Sequence, residues 1–359
     1  MRALASLLGV FAIWAAQPRV ETPAKLAATY ADAVREINEQ HARSPGKAKE
    51  DELAKSLPAA ARKAFDALIA IKSGDQLVDA LVVVADAAAD LDLETDFAAA
   101  RARIEVLDAK AAERVGRLVS RERFVVRGTG GLGDAYLAHF ADVFDAILGA
   151  YDDVFGFAEW SKVPGKKLRV LVHLEPKIVA PPHFAPEFPF HSQIDFPVDD
   201  KDALKSPTAD GKFMFYGLCH ELGHVIAMWG DREHEEDHHA WAHYCGVVIV
   251  EHLAGDAKAK KVLEDLRDAK WRTLAIERDA SKAAVPSLAD KPGVMALLVA
   301  LHDAVGPKAI GAALNSLDSA DKHLRINSVR YYSFADLEAA LLKLAANDKQ
   351  KKAIRELWP

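Results

Sequence analysis

Apolar positions recur at helical spacing through the first third of the chain. Leu77, Leu81, Val84 and Ala88 share one face, as do Phe97, Ile104, Leu107 and Ala111. Pro58 and Gly74 punctuate this stretch, which is otherwise rich in Ala, Leu, Lys, Asp and Glu. The pattern predicts a helical N-terminal region reaching to about residue 120. The texture then changes. Residues 123–127 (Arg-Phe-Val-Val-Arg) read as a short strand and residues 128–133 as a glycine-rich turn. Residues 134–155 read as a long amphipathic helix, with Leu137, Phe140, Phe144, Ile147, Leu148 and Tyr151 on one broad face. Residues 167–174 alternate and form a second strand. Pro176, Pro181, Pro182, Pro186 and Pro189 predict a loop. Residues 191–197 fit a short edge strand, where a flanking proline is tolerated. Two further helices cover residues 212–229, ended by Gly230, and residues 238–254, ended by Gly255. From residue 258 onward the chain reads as mostly helical, broken at Pro286, Pro292, Pro307 and residues 316–319. The expected class is therefore α+β, predominantly helical.

The first residues add an expectation about location. Met1-Arg2 precedes an almost unbroken apolar run over residues 3–16, and polar residues begin at Gln17. That run is too short to span a bilayer as a helix and reads as a signal peptide over residues 1–16. It predicts a secreted or periplasmic (cell-envelope) protein with no stable membrane insertion after cleavage. Half of the 359 residues are hydrophobic and 28% are charged, which is ordinary for a globular protein. The net charge is −7, and no long basic run occurs, so nucleic acid is not an expected partner. Cys219 and Cys245 are the two cysteines. In an exported protein they could form a disulfide, or they could be buried free thiols; spacing does not decide.

The candidate chemistry lies in His220-Glu221-Leu222-Gly223-His224, within a helical stretch. Residues four apart on a helix are about 40° apart around the axis, so both imidazoles project from one face on successive turns. They can then reach one Zn2+ ion, and Glu221 beside them is placed to act as base toward water rather than to ligate. A catalytic zinc takes three protein ligands and keeps one position open. Gly230 stands where a metzincin would carry its third histidine, which excludes that subclass. The following helix offers Glu233, His234, Glu235, Glu236, Asp237, His238, His239 and His243. His239, Ala242 and Gly246 share a stripe of mostly small side chains that suits close approach to the motif helix. Trp241, Tyr244, Cys245 and Val248 form a bulkier stripe suited to a core. His239 is thus the expected third ligand, with Glu236, a turn earlier, as the alternative. His302, Tyr331, Tyr332 and His191 are candidate donors to an oxyanion.

These residues resemble the gluzincins, the thermolysin-like clan of zinc peptidases, and more closely the secreted bacterial peptidase-MA-like proteins. The resemblance runs from about Phe124 to Ala254, with a weaker echo to about Leu344. It implies a zincin-like catalytic domain (residues 121–256) with a small mixed sheet and an HExxH helix. Helical regions flank it over residues 17–120 and 257–359. By resemblance His220 and His224 bind zinc, Glu221 is the catalytic base, and the substrate is a peptide or protein. The ligand helix of such families often reads Glu-x-x-Ala-x-Tyr; here His239, Ala242 and Tyr244 occupy those positions, with His in place of Glu. A strand over residues 193–196 would act as a rail for an extended substrate backbone.

Two other readings compete. A scaffold protein could keep the zinc without turnover, with His234 or His238 closing the coordination. An oxidoreductase could bind a dinucleotide at Gly128-Thr129-Gly130-Gly131-Leu132-Gly133, a GxGxxG between strand and helix. The acid expected about 20 residues on would be Asp152 or Asp153, at the end of the long helix rather than at a strand tip.

Overall fold

A computed structural model describes residues 21–43, 57–156, 167–174, 183–185, 193–198, 212–226, 228–229, 235–255, 293–319, 324–326, 329–332 and 334–357. The apolar run at residues 3–16 lies outside the described residues. The fold is α+β and predominantly helical. No single described helix is long and apolar enough to cross a membrane.

Among the described residues, five helices come first: α1 (Pro23–Arg43), α2 (Ala59–Ala70), α3 (Leu77–Asp90), α4 (Glu94–Leu107) and α5 (Ala109–Val115). They gather their own hydrophobic cluster, in which Tyr30, Leu68, Leu81, Val84 and Ile104 are fully enclosed. The apolar spacing that runs through Leu107 to Ala111 is interrupted by Asp108. Its carboxylate caps α5 by accepting from the backbone N–H groups of Lys110 (2.9 Å) and Ala111 (3.0 Å). Inside the cluster, the buried Asp96 accepts from the Tyr30 hydroxyl at 2.6 Å and from Arg62 at 2.6 and 2.8 Å. Burial, with the Asp96 carboxylate as a further cause, pushes the Tyr30 phenol far above its ordinary value, so it stays a donor.

The main sheet has the order β1-β2-β3-β5-β4. β1 (Arg117–Ser120) pairs antiparallel with β2 (Phe124–Thr129). β3 (Leu168–Leu174) runs parallel to β2, and β5 (Gln193–Val198) parallel to β3. β4 (His183–Ala185) pairs antiparallel with β5. Between β2 and β3 the chain passes through α6 (Asp134–Phe155). All six apolar residues read from its sequence face are fully buried, in one cluster with Phe124, Val126, Val170, Val172, Ile194 and Phe196.

Three expectations need correction here. Residues 117–120, read as the end of a helical region, form a strand. The edge strand is not β5 but β4, which lies within the proline-rich stretch read as loop. Pro197 is tolerated in the interior strand because β4 covers only Gln193 to Asp195, leaving the proline beyond the doubly paired part. The motif helix α7 (Lys212–Ile226) stops short of residue 229, and Met228–Trp229 forms a strand, β6.

The remaining described elements are α8 (Glu235–Gly255), α9 (Gly293–Val305), α10 (Pro307–Ser319), β7 (Leu324–Ile326), β8 (Val329–Tyr332), α11 (Phe334–Leu344) and α12 (Asp348–Leu357). β6 pairs parallel with β8, Met228 opposite Tyr331 and Trp229 opposite Tyr332, and β7 pairs antiparallel with β8. Leu298, Leu314, Leu341 and Ile354 join the same core as α6, α7 and α8. α10 meets the end of α6 very closely. A Cβ built on Gly311 would collide with the Phe155 carbonyl oxygen, and the Asn315 amide donates to the Gly156 carbonyl at 2.6 Å. An exposed helical Gly→Ala change gains roughly 1 kcal/mol of propensity. Gly311→Ala is expected to reverse that sign and cost about 1–3 kcal/mol through overpacking. Chemical denaturation of the two proteins measures it, and a gain in stability would contradict so close a crossing.

Candidate metal centre

The motif helix is held from three sides. Leu218, Cys219, Leu222 and Val225 are buried in the central core. The Tyr151 hydroxyl on α6 donates to the Cys219 carbonyl. Trp241 on α8 donates its indole N–H to the Gly223 carbonyl at 3.0 Å. Gly223 is among the last four residues of α7, whose carbonyls find no partner within the helix, so Trp241 satisfies a group the helix leaves open. Gly223 is also where the two helices cross. A Cβ there would fall 2.8 Å from the Ala242 Cα, so only glycine permits this approach. The small stripe read on α8 thus meets the motif at Ala242, while Trp241, Tyr244, Cys245 and Val248 enter the core.

The motif side chains His220, Glu221 and His224 are 8, 6 and 7% exposed. The two Nε2 atoms lie 3.1 Å apart, with ring centroids 4.8 Å apart and planes at 83°. Two imidazole nitrogens sharing a tetrahedral zinc at about 2.0–2.1 Å stand roughly 3.3 Å apart. The observed separation matches that within a few tenths of an ångström, and nitrogen donors suit zinc. Glu221 Oε1 is 4.0 Å from His220 Nε2, near the pair but not between its nitrogens.

The third position is less complete. Among the described residues, no group of three or more His, Cys, Asp or Glu side chains is arranged to hold a metal ion. His239 and Glu236 fall in α8, but their side chains lie outside the described ones, as do all atoms of His234. The sequence offers His243 among the candidate ligands but ranks it below His239 and Glu236. Its ring centroid is 4.5 Å from that of His220, with the planes at 57°. The signal was present as one more histidine on the same helix, next to Ala242.

The remaining candidates separate cleanly. His302 on α9 shares a hydrogen bond of 3.0 Å between its Nδ1 and the hydroxyl of the fully buried Tyr244, within the core. Tyr331 and Tyr332 lie on β8, paired with the strand that follows the motif helix. His191 lies outside the described residues. Cys219 and Cys245 are both free and fully buried, which decides between disulfide and thiols, and burial pushes both thiols well above their ordinary values.

The glycine turn has a packing explanation. Gly128 makes room for Leu137, whose side chain would collide with any Cβ there. Gly130 has φ +75°, abuts Leu174 and donates its N–H to the Glu113 carbonyl at 3.2 Å. Asp152 is ion-paired to Arg123 at the far end of α6, and Asp153 lies 4.0 Å from His252. Comparison of the chain with known protein families, characterised proteins and solved structures returned no match.

Proposed function

We propose that this chain is a zinc-dependent hydrolase of peptide bonds, with a zincin-like catalytic domain of the gluzincin type. The observation that carries this reading is the approach of the His220 and His224 Nε2 atoms to 3.1 Å on successive turns, with Glu221 beside them. His220 and His224 would hold the ion, with a further ligand expected from α8. Zinc held there would supply Lewis acidity that makes water a stronger acid near neutral pH. Glu221 accepts the proton of the attacking water and returns it to the leaving amine. Its near-burial keeps bulk water from competing for that proton. The helices α6 and α8, through Tyr151 and Trp241, fix the angle at which α7 presents these groups.

The rail for the substrate backbone is assigned to β4 rather than to residues 193–196. β4 is the outermost strand of its sheet among the described residues, and both β4 and β5 lie against α7. An extended peptide pairing with β4 would run beside the motif. The apolar run at residues 3–16 supports export to the cell envelope or beyond.

Metal analysis tests the reading. Purified protein is expected to hold one zinc per chain, and His220→Ala to lose it. A chelator is expected to stop hydrolysis of an unfolded protein substrate, and added zinc to restore it. Wild-type protein that takes up no zinc would remove the proposal; zinc bound without hydrolysis would leave a scaffold that has lost turnover.

A further inference from the structure

We propose that residues 21–115 form a module that swings away from the main sheet about Gly116 while both cores stay folded, and that an ionic clamp holds it closed. The clamp sets Arg127, Lys167 and Arg169 of the sheet side against Asp86, Asp90, Asp92 and Glu94 of the helices. The two hydrophobic clusters share no residue, and the chain passes from one to the other once, through Gly116 between α5 and β1. Gly116 has φ +82°, a backbone angle that suits glycine. Leu118, just past it, still packs against the first cluster. Farther from the crossing the contact turns polar. Phe124, Val126, Leu168 and Val170 face the central core, so alternation along β2 and β3 points Arg127, Lys167 and Arg169 to the opposite face. There Arg127 donates to Asp86 at 2.5 Å, and Arg169 to Asp92 at 3.0 Å and to Asp90 at 3.3 Å. Lys167 Nζ lies 3.7 Å from Glu94. Val125 on the same face is buried but belongs to neither cluster.

A joint of this kind can open because water competes for the groups that make it. Ions taken out of water lose hydration, and their mutual attraction does little more than offset that loss. Among the described residues, Asp92 Oδ2 and Arg169 Nε are enclosed without a hydrogen-bond partner. Both gain one from water when the module swings out. An apolar contact of the same extent would resist opening far more. Near the crossing, Arg101 donates to the Gly116 carbonyl at 2.6 Å and the Gly130 N–H to the Glu113 carbonyl at 3.2 Å. The hinge end thus stays tied while the Asp92 end opens. In the open form Arg127, Lys167 and Arg169 present a cationic sheet face on a chain whose net charge is −7. None of this depends on the zinc reading.

Small-angle X-ray scattering on the full chain reads the swing. A compact chain of this length has a radius of gyration of about 21 Å, and combining Arg127→Glu with Arg169→Glu, which sets like charges face to face, is expected to raise it by roughly 10%. Helix content by circular dichroism and tryptophan emission should both stay at the wild-type values. Residues 21–115 contain no tryptophan, so the emission follows the other core alone. Adding Asp86→Lys, Asp90→Lys and Asp92→Asn should close the joint again. Wild type in about 1 M salt, where the screening length falls to about 3 Å, should open in the same direction as the charge-reversed protein. An unchanged radius in a folded charge-reversed protein would overturn the proposal, as would loss of helix together with a shift in emission. Urea unfolding of wild type gives a second measurement. Helix content and tryptophan emission are expected to show separate midpoints, and coincident transitions would mean one cooperative unit and end the proposal.

Discussion

Glu221→Gln is expected to keep one zinc per chain and to slow peptide hydrolysis by about 10²–10⁴-fold, the usual share of a positioned general base. The substitution is nearly isosteric. It retains a carbonyl oxygen that can accept a hydrogen bond and removes the basic site that takes a proton. Glu221 is nearly buried, so the exchange also removes a charge from a poorly solvated place; stability should hold or rise slightly. The combination discriminates. A residue needed only for folding would lose zinc and melt early, and a ligand would lose zinc alone. The measurement pairs metal content and thermal unfolding with turnover of a peptide substrate. Turnover equal to wild type in a fully zinc-loaded Glu221→Gln protein would end the mechanism.

The second large effect concerns the joint between the N-terminal helices and the sheet. Arg169 on β3 is 8% exposed and donates to Asp92 at 3.0 Å and to Asp90 at 3.3 Å. The Asp92 side chain is 1% exposed, while that of Asp90 is 48% exposed. Asp90 is thus screened by water and adds little, and the Asp92 pair dominates. Arg169→Met is expected to cost about 3–5 kcal/mol, because it leaves the Asp92 carboxylate buried without its countercharge. Adding Asp92→Asn should recover most of that loss. Asn removes the charge and tolerates the left-handed backbone at this position, where φ is +57°. Urea unfolding of the single and double variants measures the coupling. If Asp92→Asn deepens the loss instead of relieving it, the buried charge is not its cause.

The parts legible in the sequence were those built from local periodicity. The helix over residues 134–155 was read at its observed bounds because six large apolar residues mark one face. The HExxH helix and the division of α8 into a small stripe and a bulky stripe were read for the same reason, and Ala242 against Gly223 shows the small stripe at work. The parts that escaped depend on pairing between distant segments. β1 has four residues with no clear alternation, and becomes a strand because β2 lies beside it. β4 has three residues within a proline-rich stretch, so its pairing with β5 leaves no local trace. Met228 and Trp229 continue an apolar helical pattern and leave it only because β8 offers them partners. His243, offered by the sequence among the candidates, ranks below His239 there because stripe reasoning orders residues by the helix face they share. A ring contact across a helix crossing depends on where the crossing falls, and Gly223 sets that.

The pairing of β6 with β8 ties the timing of assembly to the far end of the chain. A ribosome adding about 5–20 residues per second completes residues 329–332 roughly 5–20 s after the HExxH segment. Throughout that interval the strand that follows the histidines lacks the partner that β8 supplies, and α11 and α12 are not yet made. A nascent chain therefore carries the strand after its histidine pair unpaired until synthesis is nearly done, and any message cut short before residue 329 yields a product lacking that pairing.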